Sequence, residues 1–128
     1  MVTPQEQMRP RAAVVYHPFK TDLASLRAAA TKYESANGWA PTRWYETAEA
    51  DAGTGAARQA LGEGANMVIA SGGDGTVRAG AEALRGTGVP LAVAPQGTGN
   101  LLARNIGMPR GNLEVAVRAA FQGKNRAI

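Results

Sequence analysis

Two runs, MVIA at residues 67–70 and LAVA at residues 91–94, contain no polar residue, and the stretch between them spaces its apolar residues at helical intervals. A strand that is apolar on both sides needs cover on both faces of its sheet, and alternating strands with helices supplies that cover. Two more strand-sized runs precede them, AAVVY at 12–16 and TRWYE at 42–46. Residues 22–37 carry Leu23, Leu26, Ala30 and Tyr33 on one helical face, with Thr21 or Asp22 as the opening cap and Gly38 as the stop. Further helices are expected over 54–61, 76–84, 100–105 and 112–121. The alternation predicts an α/β fold of three layers: a mainly parallel sheet, right-handed crossovers, and helices on both faces.

With 128 residues, 45% of them hydrophobic and 19% charged, the chain has the size and composition of one domain with its own core. Residues 1–11 read as a flexible tail and 12–128 as the domain. There is no Cys and a single His, which excludes disulfides, thiolate metal sites, a cysteine nucleophile and an all-histidine metal cage. A cytoplasmic setting fits this composition. The first twelve residues lack the apolar core of a signal peptide. The longest uncharged stretch, between Arg85 and Arg104, is broken by Pro90, Pro95 and several glycines, so no transmembrane segment is expected. A net charge of +4 favours anionic partners. Arg9, Arg11, Arg118, Lys124 and Arg126 are scattered without interleaved aromatics, so nucleic acid is not among those expected. Trp39, Trp44 and Tyr45 are assigned to packing.

Gly-Thr-Gly occurs three times, starting at Gly53, Gly86 and Gly97. The first is placed to start a helix and the second to end one. The third follows LAVA and precedes a helix, where unpaired N–H groups and the positive helix end face a ligand. A second loop of the same kind, Ser71-Gly72-Gly73-Asp74-Gly75-Thr76, lies between MVIA and the next helix. Glycines there would let the backbone approach a polyphosphate and, by taking positive φ, form an anion nest. Asp74 reads either as a Mg²⁺ ligand, since a carboxylate among phosphates needs a cation between them, or as a helix cap. Neighbouring parallel strands deliver their carboxyl ends to one edge, so the two loops are expected to share a cleft. Asn100 serves as an N-cap or offers its amide to phosphate, and Arg104 neutralises phosphate charge or pairs at the surface. The sequence contains no G-x-x-x-x-G-K-[ST], and neither loop completes G-x-G-x-x-G.

VIASGGDGTVR at 68–78 and VPLAVAPQGTGNLLAR at 89–104 together resemble the diacylglycerol kinase catalytic domain family of lipid kinases, through GGDGT and P-x-GTGN-x-x-AR. NAD kinases share the first motif, while the second is more specific to the lipid kinases. The resemblance implies a nucleotide-binding lobe that helps move the γ-phosphoryl group of ATP onto diacylglycerol or a related lipid alcohol, with Mg²⁺. It assigns Gly72, Gly73, Gly75, Thr76, Gly97, Thr98 and Gly99 to phosphate loops, Asn100 to the same site, and Asp74 to the metal. Thr47 matches a nucleotide-binding threonine, with an ordinary helix-entry hydroxyl as the other reading. His17 stands where the family usually has Asn, which puts it beside the nucleotide as a hydrogen-bonding group rather than a base. Leu101 replaces an Asp found in many members, removing one acidic contribution to the metal network. The resemblance also implies a further β-rich domain that supplies the general base and the lipid site. On that reading the 128 residues alone are inactive, and the longer parent has peripheral membrane contact. An NAD kinase-like lobe and a non-catalytic nucleotide-sensing module are the alternatives.

Overall fold

The computed structural model describes residues 9–48, 51, 53–94 and 112–123. Within them, four strands alternate with helices: β1 (Ala12–Tyr16), α1 (Leu23–Ala36), β2 (Arg43–Glu46), α2 (Thr54–Gly62), β3 (Met67–Ser71), α3 (Asp74–Leu84), β4 (Leu91–Ala94) and α4 (Asn112–Phe121). The sheet order is β2-β1-β3-β4 and every pairing is parallel. The α/β architecture expected from the alternation is therefore the one observed. The helix expected over 100–105 and most of the N-terminal tail lie outside the described residues.

Strand periodicity divides the core in two. Ala12, Val14, Met67, Ile69, Ala92 and Ala94 point to one face, where Leu26, Ala29 and Ala30 of α1 meet Val117, Ala120 and Phe121 of α4. Ala13, Val15 and Val68 point to the other, under Ala57 and Ala60 of α2 and Leu84 of α3. All five residues of β3 are buried, as its unbroken apolar run requires. Complete burial of each Val or Ile here contributes about 1.5–3 kcal/mol.

Local chemistry sets the element ends. Asp22 caps α1 by accepting from the Ser25 amide (3.2 Å), and Gly38 and Gly86 turn the chain with positive φ after α1 and α3. Glu34, buried near the end of α1, accepts from the Thr42 amide (2.8 Å) and so fixes the approach to β2. Burial raises its carboxyl above the ordinary range, with the Thr42 hydrogen bonds opposing. The aromatic residues serve packing, as expected: Trp39 stands edge-on to Phe121 and donates Nε1–H to its carbonyl (3.0 Å), and Trp44 packs against Tyr16 beneath the Arg27 guanidinium. No helix among the described residues is long and apolar enough to cross a membrane.

Candidate functional site

The helix after β1 covers one face of the sheet and the helices after β2 and β3 cover the other. Chains leaving β1 and β3 therefore part in opposite directions, opening a crevice at their carboxyl ends, the position where open α/β sheets bind ligands. Register fixes what stands there: Tyr16 pairs with Ser71, and the His17 amide donates to the Ser71 carbonyl (2.9 Å). Opposite His17 begins the loop that the sequence marks as glycine-rich.

Gly72 is required there by space. A Cβ on it would sit 2.5 Å from Thr76 Oγ1, 2.9 Å from Thr76 Cβ and 3.0 Å from His17 Cβ. The sequence expectation of an anion nest made by positive φ is not met: Gly72, Gly73 and Gly75 all lack it. Gly73 is extended (φ −84°, ψ −173°) and is itself the N-cap of α3. The strand thus runs straight into the helix, and the glycines serve close approach instead.

Asp74 is consequently the first residue of α3 and not its cap. The Thr76 and Val77 amides both donate to the Gly73 carbonyl (3.1 and 3.3 Å), which draws Asp74 and Gly75 into the first turn. Gly73 has no side chain with which to cap, so the positive end of α3 opens onto the crevice. Asp74 is exposed, and its carboxylate has no hydrogen bond or ion pair among the described residues. A position in the first turn suits an acid electrostatically and leaves both oxygens available. No group of three or more His, Asp or Glu side chains that could hold a metal exists among the described residues. A lone carboxylate suits Mg²⁺ held jointly with phosphate and water, the usual way that ion is bound.

Thr47 follows β2 directly, is buried, and donates its amide to the Tyr16 carbonyl (2.9 Å). It lies seven residues before α2 begins, so it is not a helix-entry hydroxyl. Its methyl packs where Gly53 would carry a Cβ, at 3.3 Å, and Gly53 has φ of +132°, so that position also demands glycine. Gly53 starts α2, as its triplet suggested.

The second loop, Gly97, Thr98, Gly99 and Asn100, and with it Arg104, lies outside the described residues. Its approach is described: β4 pairs parallel with β3, and Ala94 stands beside Ser71 at the same edge of the sheet.

Three residues here were not singled out as site groups in the sequence. Thr21, read only as a cap, donates its hydroxyl to the Ser71 carbonyl (3.1 Å) and lies 3.2 Å from the Ser71 hydroxyl, tying α1 to the end of β3. The Phe19 amide donates to His17 Nδ1 (3.1 Å). Asp51 accepts from the Gly53 and Gly55 amides (both 2.8 Å), which holds its carboxyl below the ordinary range. An acid shortly before a helix was the available signal for Asp51. Asp51 also lines an open cleft of ≈450 Å³ with Trp44, Tyr45, Glu46 and Gln59, but both its oxygens are already engaged.

An open parallel sheet whose strand order reverses between β1 and β3, with helices on both faces, defines the class as a three-layer α/β domain. The family model of the diacylglycerol kinase catalytic domain matches residues 11–128, and the chain belongs to that family. It is 33% identical to a diacylglycerol kinase of Bacillus subtilis over 92% of this chain and 40% of the relative. It is 38% identical to one of Mycobacterium tuberculosis over 54% of this chain and 22% of the relative. The crystal structure of a diacylglycerol kinase from Bacillus anthracis superposes with a TM-score of 0.62 at 22% identity, covering 90% of this chain and 44% of that one. The chain thus spans less than half the length of these relatives.

Proposed function

We propose that this chain is the ATP-binding lobe of a lipid kinase that transfers the γ-phosphoryl group to diacylglycerol or a related lipid alcohol. The observation that carries the reading is the crevice between β1 and β3, where the uncapped start of α3 and the side-chain-free Gly72 stand ready for phosphate, in a chain of the diacylglycerol kinase catalytic domain family. Amide N–H groups and the helix end stabilise negative charge on phosphoryl oxygens without reorganising. On this reading Gly72, Gly73, Gly75 and Thr76 cradle phosphate, joined by Gly97, Thr98, Gly99 and Asn100 from the neighbouring strand, while Thr47 and His17 flank the nucleotide. Asp74 would hold Mg²⁺, which when bound neutralises charge spread over the phosphates.

Transfer forms a bond from the lipid hydroxyl oxygen to the γ-phosphorus and breaks the bond to the leaving ADP, and the hydroxyl proton needs an acceptor. No base is assigned to it among these residues. The greater length of the relatives supports a further domain that carries both the base and the lipid site. Positioning only the donor leaves out most of what catalysis requires, so residues 1–128 should bind nucleotide and turn over negligibly. The reading puts the protein in the cytoplasm, with the longer parent meeting a membrane peripherally.

Calorimetric titration with ATP and with NAD, each with and without Mg²⁺, tests it. ATP binding strengthened by Mg²⁺ is expected. Tight NAD binding without an ATP response would replace the lipid-kinase reading with an NAD kinase-like one, and robust ATP-dependent lipid phosphorylation by the 128 residues would overturn their expected inactivity.

A further inference from the structure

We propose that Thr21 is a positioning residue for the crevice between β1 and β3: by holding the Ser71 carbonyl it sets the direction and the donor strength of the Gly72 amide. The proposal rests on the nucleotide reading above. Asp22 caps α1 and accepts from the Ser25 amide, so the Thr21 hydroxyl is not spent on the helix. It donates instead to the Ser71 carbonyl (3.1 Å) at the end of β3, fifty residues along the chain. A hydroxyl has one proton to give, so the 3.2 Å contact between the two side-chain oxygens is completed by the Ser71 hydroxyl donating to Thr21 Oγ1. The same Ser71 carbonyl accepts from the His17 amide (2.9 Å). Both its lone pairs are thus engaged, and Ser71 is buried, which keeps water from competing for them.

The loop that follows cannot supply this order itself. Gly72 and Gly73 have no side chains to anchor them, and a glycine leaves the adjoining peptide plane free to turn. Across a trans peptide the N–H points opposite to the carbonyl. With the Ser71 carbonyl drawn to β1 and to Thr21, the Gly72 N–H is directed away from them, toward β4, the neighbour of β3 on its other side. That amide has no partner among the described residues. Two donors on one carbonyl also polarise the peptide, which makes its N–H a stronger donor to an anionic oxygen.

Thr21→Val keeps the shape of the side chain and removes the hydroxyl, while Thr21→Ser keeps the hydroxyl. In amide spectra of the full chain, T21V should move the Gly72 ¹⁵N resonance upfield, because that nitrogen loses the deshielding of a hydrogen bond to the preceding carbonyl. T21S should hold it near the parent position. In calorimetry T21V should bind Mg·ATP roughly fivefold more weakly, within the range for residues that act on a site without touching its ligand, and T21S should recover most of that loss. A merely structural tie would lower stability in urea yet leave the ATP affinity of the folded T21V equal to that of the parent, and this result overturns the proposal with the nucleotide reading intact. An unmoved Gly72 resonance overturns it too, as does T21S binding no better than T21V. Absence of ATP binding by the parent chain overturns the nucleotide reading and this proposal together. Should T21V fail to fold, T21A, which places no second methyl against the Ser71 hydroxyl, decides by the same two readouts.

Discussion

At the residue scale, Gly72 carries the sharpest constraint in the crevice. Rotating the Thr76 side chain would remove its hydroxyl from the path of an added methyl, but Thr76 Cβ at 2.9 Å and His17 Cβ at 3.0 Å would remain. Gly72→Ala should therefore destabilise the chain by about 1–3 kcal/mol, the range for overpacking a fitted site, as measured by urea denaturation. Retained parental stability would mean that β3 and β1 can part at that end without cost. Glu34 gives a second test: truncation to Ala leaves the Thr42 amide without its acceptor, and the same assay should register a loss of about 1–3 kcal/mol. That glycine belongs at 72 was legible in the sequence. Its reason was not, because the space denied to a Cβ is set by His17, more than fifty residues earlier.

At the element scale, helix positions were legible because their signals are local: apolar spacing, a cap such as Asp22, and a stop such as Gly38. α3 begins two residues before the expected Thr76, since nothing in SGGDGT reveals that two amides will share the Gly73 carbonyl. Charge at the element ends also sets the response to acid. The carboxyls of Asp22, Asp51, Glu63 and Glu114 are all held below their ordinary values, by the Ser25 groups, the Gly53 and Gly55 amides, Tyr45 and Lys32 respectively. A carboxyl depressed in the folded state stabilises above its unfolded pKa and loses that contribution as pH falls through the folded value. Glu34, raised by burial, has the opposite sign: its contribution is full below its unfolded value and fades as pH rises through the folded one. With four groups against one, stability should fall as pH drops below about 4, the region of the unperturbed carboxyls. Asp51→Asn should be less stable than the parent near neutrality, because one carbonyl oxygen replaces the two that serve the Gly53 and Gly55 amides. It should also lose less stability between pH 5 and pH 3, and thermal unfolding at both pH values checks this. A parallel loss in variant and parent would show that Asp51 is not responsible for the acid response.

At the scale of the whole molecule, the strand order 2-1-3-4 is what turns these local features into a site. Had β3 added beside β2, the glycine loop would open at another position and His17 would face no helix start. The alternation announced a parallel sheet but not the order of its strands, because order depends on which face each helix covers, a long-range outcome. The face beneath α1 and α4 secures that arrangement. Phe121 is buried at the end of α4 and meets Trp39 edge-on, while the Trp39 ring N–H reaches the Phe121 carbonyl and Glu114 receives both Lys32 and the Tyr33 hydroxyl. Salt should weaken the exposed Lys32–Glu114 pair with little consequence, since exposed ion pairs contribute little. The aromatic contact is different in kind. Phe121→Ala removes a fully buried ring and leaves a cavity against α1, which costs about 3–5 kcal/mol in a fitted core. In a domain of this size a loss of that magnitude approaches the whole stability, so the variant should melt far below the parent, or be unfolded at 37 °C by circular dichroism. Phe121→Leu, which keeps most of the volume, should recover more than half of the deficit. A variant Phe121→Ala that melts with the parent would show that α4 is not part of the core, and that α1 alone secures that face of β1 and β3.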